Sequence, residues 1–319
     1  MKTENVHDTF FREVFSVKEN ALDFLSGTLP PALKRELSLE TMQLDSNSYT
    51  DSKLKTHFSD MVYTCSTKSG SSVRISLLFE HKSYKPKYPR LQLLRYMVNI
   101  WYSRLKQGEE LQPVIPIVLY HGTAKWRKKR FRDYFRVGGS VFDRFIPAFD
   151  YILADLSEYT NEEIKDGMFN RSALIISLFL FKYIFKPKLL ITYLKKFLEL
   201  GKLYYREEEG LRFIESVFRY IFTAANIEHE KIITRAAELS NSMEDTAMTA
   251  ADRLRKEGKE QGELLKEQQV LIRLVNKKFG LTEDEKDTIQ SCNEPEKLDK
   301  ALDTILTAES KDEVLCLLN

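Results

Sequence analysis

The stretch ISLLFEHKS, residues 75–83, has the composition of a buried β-strand that ends in charged side chains. Four large apolar residues and a serine precede Glu80, His81 and Lys82. Because side chains alternate along a strand, Glu80 and Lys82 share one face and His81 points to the other. The same Glu-x-Lys spacing recurs three times, with its glutamate at Glu163, Glu257 and Glu309. Each of these copies lies in a polar, helix-like segment. Position at the end of an apolar strand therefore distinguishes this copy from the others.

A second carboxylate lies within the neighbouring β-rich run. FSDMVYTCSTKSGSSVRISLLFEHKS, residues 58–83, has two such runs around KSGSS, which predicts a hairpin. Asp60 interrupts the first run and can lie across the hairpin from Glu80. Two carboxylates at a sheet edge can hold Mg²⁺, and Lys82 could then orient or deprotonate an attacking water. The pattern fits metal-assisted phosphodiester hydrolysis, but spacing alone leaves open a simple Glu80–Lys82 ion pair with an exposed Asp60.

The elements around this hairpin predict an α/β core. Residues 7–29, HDTFFREVFSVKENALDFLSGTL, have apolar residues at roughly helical spacing. Residues 90–105, RLQLLRYMVNIWYSRL, predict a helix packed on a sheet. Two short apolar runs, VIPIVLYHG (114–122) and YILADLSEY (151–159), predict further strands. The order α, β, β, α, β, β indicates a mixed sheet flanked by helices.

The chain from Asn161 onward is predicted to be helical. Residues 228–279 are long, polar and charged, as in an extended or coiled-coil-like helix, and three short amphipathic helices follow. We therefore predict a core over 1–160, a helical extension packed on it over 161–227, and a charged long helix with a small helical domain over 228–319. The last region is expected to support a homodimer.

Charge is strongly polarised along the chain. Residues 53–136 contain 18 Lys or Arg and 5 Asp or Glu, whereas residues 228–319 contain 14 basic and 21 acidic residues. The densest basic run, KWRKKRFRDYFR at 125–136, interleaves aromatic residues with cations. This composition suits contacts with phosphates and bases, although each cluster could also be an ordinary solvated surface. A polyanion is thus the expected partner.

Other classes of protein are disfavoured. The three cysteines, Cys65, Cys292 and Cys316, lie far apart, without CxxC spacing and without a partner histidine pattern, so they suggest neither a disulfide framework nor a zinc site. The start of the chain, MKTENVHDTF, lacks the apolar core of a signal peptide, and no apolar stretch is long enough to predict a membrane span. A cytosolic protein without membrane contact is expected.

The motifs together resemble a known family. DMVY, LLFEHKS and LQLLRYM, in this order, resemble the core of PD-(D/E)xK nucleases, which have a restriction-endonuclease-like mixed sheet. With HDTFFREVFS upstream and PIVLYHG and ADLSEY downstream, the first 160 residues or so resemble the recombination-promoting nuclease or putative transposase family of bacteria. The motif's proline is absent here, because Phe58 and Ser59 precede Asp60.

The resemblance implies a Mg²⁺-dependent DNA endonuclease, with Mn²⁺ as a substitute. Asp60 and Glu80 would be metal ligands, together with the backbone carbonyl of His81, and Lys82 would be the catalytic lysine. Gln92 matches a glutamine often found on the helix after the catalytic strand, although it could be an ordinary solvent-facing residue. The lesser candidates are Asp8, Glu13 and Asp155, of which Asp155 is not expected to bind metal directly. Nine cations are expected to contact DNA: Lys85, Lys87, Arg90, Arg95, Lys125, Arg127, Lys128, Lys129 and Arg130.

Three hypotheses follow. The first is an active endonuclease with a role in recombination, defence or mobile elements. The second is a catalytically inactive DNA-binding or scaffold protein that retains the nuclease fold. The third is a nuclease inhibited by its acidic tail, which truncation near Glu228 would activate.

Overall fold

The computed structural model describes residues 5–45, 61–69, 74–136, 140–202 and 208–318, with the strand at 74–82 described by its backbone. The chain divides into two compact units, one running to Ala247 and the other starting at Met248. The division falls inside a continuous helix, where the sequence pattern shows no break. The finer division predicted at residues 160 and 227 stays a prediction.

The amino-terminal region holds three helices, α1 (Val6–Ser16), α2 (Lys18–Thr28) and α3 (Pro31–Glu36). The prediction of one helix over residues 7–29 was wrong, because Val17 has extended backbone angles of φ −73° and ψ 108°. The buried Asn20 side chain donates a 2.9 Å hydrogen bond to the carbonyl oxygen of Val14. This bond satisfies an acceptor in the last turn of α1 and stabilises the break.

The first unit contains a five-stranded sheet in the described part of the chain. Its strands are β1 (Leu37–Leu44), β2 (Met61–Thr67), β3 (Arg74–Lys82), β4 (Val114–Tyr120) and β5 (Ile152–Asp155). The strands are arranged in sequence order. The pairs β1–β2 and β2–β3 are antiparallel, whereas β3–β4 and β4–β5 are parallel. The mixed sheet expected from the sequence is present, and β1 is an edge strand that the sequence did not predict.

Helix α4 (Pro89–Lys106) covers one face of this sheet. Val62, Val118 and Tyr120 of the sheet are buried in one cluster with Leu93 and Tyr96 of the helix. On the opposite face, the Tyr63 hydroxyl donates a hydrogen bond to the carbonyl oxygen of Phe15 at the end of α1. The sheet is therefore sandwiched between helices, as expected for a layered α/β protein.

The described part of the first unit also includes the α-helices α5 (Ser172–Tyr183), α6 (Pro187–Glu199), α7 (Glu208–Ala224) and α8 (His229–Ala237). Helix α5 is buried along nearly its whole length, which accounts for its apolar sequence. None of the helices described combines the length and apolar character needed to cross a membrane.

The long helix predicted over residues 228–279 is in two parts, α8 and α9 (Asn241–Lys278). The break has a local cause, since the Ser240 hydroxyl accepts a 3.2 Å hydrogen bond from the backbone amide of Met243. From Met248 onward, α9 belongs to the second unit. Three short helices follow, α10 (Glu283–Ser291), α11 (Pro295–Thr304) and α12 (Lys311–Leu315), in agreement with the prediction.

Candidate active site at the carboxyl end of the central strand

The candidate site lies where β3 ends in the middle of the sheet. Glu80 is in register with Val118 and Lys82 with Tyr120, and Tyr120 is in turn in register with Asp155. Since β3, β4 and β5 are parallel, their carboxyl ends lie at one edge of the sheet. Glu80 and Lys82 therefore occupy the edge at which ligands commonly bind in sheets of this kind.

The register also assigns these positions to a face. Val118 and Tyr120 pack against α4, and positions in register on neighbouring strands share a face. Positions 80 and 82 thus belong to the face covered by α4, whereas position 81 is in register with Leu119 and belongs to the other. The backbone supports the predicted separation of the Glu80–Lys82 pair from His81.

Part of the predicted metal site lies outside the described residues. Asp60 falls there, as do the side chains of Glu80, His81 and Lys82. The first described residue of β2, Met61, pairs with Phe79, which immediately precedes Glu80 in the chain. Among the side chains that the structure does describe, no group of three or more His, Cys, Asp or Glu residues is arranged to hold a metal ion.

The backbone just after β4 packs closely on the backbone just after β3. A Cβ atom on Gly122 would lie 2.6 Å from the carbonyl oxygen of Ser83 and would also overlap the Tyr120 side chain. Only glycine fits this approach without displacing the backbone that follows Lys82. Gly122 therefore helps to fix the backbone at the carboxyl end of β3. This role was not predicted from the sequence.

Gln92 lies near the start of α4, on the helix that covers the face of positions 80 and 82. Its side chain is partly buried, and Nε2 lies 3.4 Å from the Tyr96 hydroxyl oxygen, which accepts a weak hydrogen bond. Tyr96 itself is buried in the cluster with Val118 and Tyr120. Gln92 is therefore not a fully solvent-facing residue, and it stays a candidate for the site at the end of β3.

Asp155 has a structural role at the same edge. Its side chain is buried, and its two carboxylate oxygens accept hydrogen bonds from the backbone amides of Trp126 (3.1 Å) and Ser157 (3.0 Å). The carboxylate thereby links the start of the basic run of residues 125–136, called the basic segment below, to the end of β5. These two bonds account for the burial of Asp155 without a direct contact to metal, as expected from the sequence.

Asp8 and Glu13 lie on α1, whose contact with Tyr63 is on the sheet face opposite α4. Asp8 is in the first turn, where a negative charge is favourable. Glu13 is exposed and lines a cleft of about 650 Å³ near Arg171 and Arg212. The structure does not bring either residue to the α4 face with positions 80 and 82.

Arg90 does not fit the prediction that it contacts DNA. It is 6% exposed, and its Nε donates a 2.6 Å hydrogen bond to the carbonyl oxygen of Lys129. Its two terminal nitrogens donate to the carbonyl oxygen of Phe149 and to Asp150. The guanidinium is therefore used to hold the basic segment in place, a role that sequence alone could not distinguish from phosphate binding.

The other predicted DNA contacts are all exposed: Lys85, Lys87, Arg95, Lys125, Arg127, Lys128, Lys129 and Arg130. Some pair with acids at the surface, as Lys125 does with Glu158 at 3.0 Å and Lys128 with Asp150 at 3.2 Å. Such exposed pairs contribute little to stability and leave the cations accessible to an anionic ligand. The run from residue 125 follows the carboxyl end of β4 in the chain. Because β3 and β4 are parallel, this run starts at the edge of the sheet where β3 ends.

These features define a mixed α/β protein with a cationic segment beside one edge of its sheet. The chain belongs to the family described as putative transposase, YhgA-like, whose sequence model matches residues 5–212. This match bears out the resemblance noted in the sequence.

Three named relatives are proteins of Escherichia coli K12. The chain is 26% identical over 288 residues to the recombination-promoting nuclease RpnA, covering 88% of this chain and 95% of that protein. It is 25% identical over 276 residues to the inactive recombination-promoting nuclease-like protein RpnE, covering 85% and 89% respectively. A shorter match to the recombination-promoting nuclease RpnC is 30% identical over 119 residues, or 37% of this chain and 39% of that protein. No solved structure gives a significant match.

Proposed function

We propose that this protein is a metal-dependent DNA endonuclease of the PD-(D/E)xK type. The observation that carries the proposal is the register of the sheet, in which Glu80 and Lys82 end the central strand on the α4 face. Support also comes from the relatives, two of which are named recombination-promoting nucleases. The cationic segment at the same edge supplies a surface for a phosphate backbone.

The residues at this edge suit Mg²⁺ chemically. The carboxylates of Asp60 and Glu80, with the His81 carbonyl, would offer the oxygen ligands that Mg²⁺ prefers. When bound there, Mg²⁺ would acidify a water molecule and neutralise negative charge on the phosphate. The pairing of Met61 with Phe79 supports this ligand set, because Asp60 directly precedes Met61 in the sequence and Glu80 directly follows Phe79.

The protein's own groups would perform the remaining work. Lys82 would orient the attacking water, since it shares a face with Glu80 at a separation of two residues. Gln92 would contact the water or a phosphate oxygen from α4. Exposed cations such as Arg127 and Lys129 would bind the flanking phosphates without reading sequence. Arg90 is a positioning residue, because its contacts are with the backbone of the basic segment and with Asp150.

Incubation of supercoiled plasmid with the purified protein tests this proposal. We expect nicked or linear products with Mg²⁺ or Mn²⁺, and none after addition of excess EDTA, because the site would lose its metal. Products that form at the same rate in EDTA would contradict the proposal. Quantitative gel electrophoresis over time gives the rate.

One observation favours a second candidate, a catalytically inactive DNA-binding protein, because the relative RpnE is named inactive. This alternative predicts salt-dependent DNA binding that persists in EDTA, with no cleavage under any divalent metal. Presence of all three residue types at positions 60, 80 and 82 leads us to prefer the active enzyme. Cytosolic location, dimerisation through the C-terminal helical region of residues 228–319 and inhibition by the acidic tail stay proposals.

A further inference from the structure

A group of exposed apolar residues lies at the end of the basic segment and just after it in the chain. Phe142 and Phe145 lie in the short 3₁₀ helix Ser140–Phe145 and are 50% and 72% exposed. Val141, at 67%, and Phe135, at 45%, are exposed nearby in the chain. Single exposed apolar residues are ordinary, but several together indicate a binding surface. Side chains three residues apart eclipse in a 3₁₀ helix, so Phe142 and Phe145 lie on one side.

The 3₁₀ helix that carries Phe142 and Phe145 is held in place by contacts with the turn before it. Arg132, in the 3₁₀ turn Phe131–Tyr134, forms an ion pair with Asp143 of the second turn. Phe131, in the same turn as Arg132, is buried, and its ring centroid lies 5.9 Å from that of Phe149. Arg90 in turn binds the carbonyl oxygen of Phe149. The aromatic residues are thus presented on an anchored segment, which lowers the entropic cost of binding.

The charge of the segment selects an anionic partner. Residues 125–150 contain eight Lys or Arg and three Asp or Glu. The guanidinium of Arg144 lies over the Phe145 ring, 5.1 Å from its centroid. Exposed aromatic rings among cations are the combination with which proteins bind single-stranded nucleic acid, because the rings stack on bases while the cations contact phosphates. A paired duplex hides the faces of its bases, so such rings would find partners where strands are open.

We propose that Phe142 and Phe145 stack on unpaired bases, and that the substrate bound by this protein is single-stranded or locally opened DNA. The proposal rests on the proposed function and refines it by naming the form of the DNA. The experiment below is carried out in EDTA, so that it does not depend on cleavage.

The test compares binding of a single-stranded oligonucleotide containing 2-aminopurine with binding of a closed duplex of the same sequence. For the doubly substituted F142A/F145A protein, we expect the Kd for the single strand to rise roughly tenfold or more, because stacking is lost. The Kd for the duplex should change by less than about twofold, since the cations remain. The dependence of log Kd on log salt should keep its slope for the same reason.

Three further variants separate the effect of stacking from effects on the fold and from loss of apolar area. F142L/F145L should weaken single-strand binding as F142A/F145A does, whereas F142W/F145W should preserve it. Leu306→Ala removes an equally exposed apolar side chain in the second unit and should change nothing. Circular dichroism should give the same melting temperature for the wild type and all variants.

Three outcomes would overturn the inference. The wild type could fail to bind the single strand, the phenylalanine variants could bind it as tightly as wild type, or single strand and duplex could weaken equally. A change in sedimentation with unaltered DNA binding would likewise overturn it and assign the patch to self-association. None of these results would touch plasmid cleavage by the wild type, which separately tests the proposed function.

Discussion

Replacing Glu80 with Gln is expected to slow plasmid cleavage about a hundredfold or more, while DNA binding in EDTA stays at the wild-type level. The reason is that an amide keeps the size of the side chain but removes the negative charge that would hold the metal. Lys82→Met should lower the rate by a similar factor, because the group that orients the water is lost. Initial rates of nicking, measured at saturating protein and Mg²⁺, report both effects.

The chain supplies its own matched controls. Glu257 and Lys259 have the same Glu-x-Lys spacing but lie on the exposed part of α9. Glu257→Gln and Lys259→Met should therefore cleave at the wild-type rate. If the Glu80 and Lys82 variants nicked plasmid as fast as these controls, the assignment of the active site to the end of β3 would be wrong.

Arg90→Ala is expected to lower the free energy of unfolding of the first unit by about 3 kcal/mol. The substitution leaves the carbonyl oxygens of Lys129 and Phe149 without the buried donor that binds them. It also frees the cationic run of residues 127–130, so that DNA affinity should fall although Arg90 itself does not face solvent. Urea unfolding monitored by tryptophan fluorescence suits this test, since Trp126 lies in the affected segment.

Arg95→Ala is the natural comparison, because Arg95 lies on the same helix and is exposed. We expect it to leave stability within about 0.5 kcal/mol of wild type and to reduce the salt dependence of DNA binding by about one unit of slope. Equal stability of the Arg90 and Arg95 variants would show that Arg90 is not an anchor and would restore the interpretation that it contacts phosphate.

Much of the core could be predicted from sequence because its signals are local. The hairpin of β2 and β3, the strands β4 and β5, and helix α4 each have their own apolar period and turn residues. The split between α1 and α2 was missed because it depends on Asn20 bonding back to Val14. Strand β1 was missed because its burial does not alternate along the strand, and its register with β2 shifts between Ser38 and Gln43.

The candidate site shows the same limit at the level of side chains. Spacing was sufficient to separate Glu80 and Lys82 from His81, since alternation is a property of any strand. Spacing could not distinguish Arg90 from Arg95, because burial of Arg90 depends on carbonyl oxygens that lie 39 and 59 residues away in the chain. The supporting roles of Gly122 and Asp155 likewise arise from contacts between strand ends that only the folded chain brings together.

The most direct test of the central claim is anomalous diffraction from crystals soaked in Mn²⁺. We expect a strong anomalous peak at the carboxyl end of β3, bound by the carboxylates of Asp60 and Glu80, and no peak there in crystals of Glu80→Gln. If a protein that cleaves DNA in Mn²⁺ bound the ion elsewhere and left this strand end without it, the active site would not lie at the end of β3.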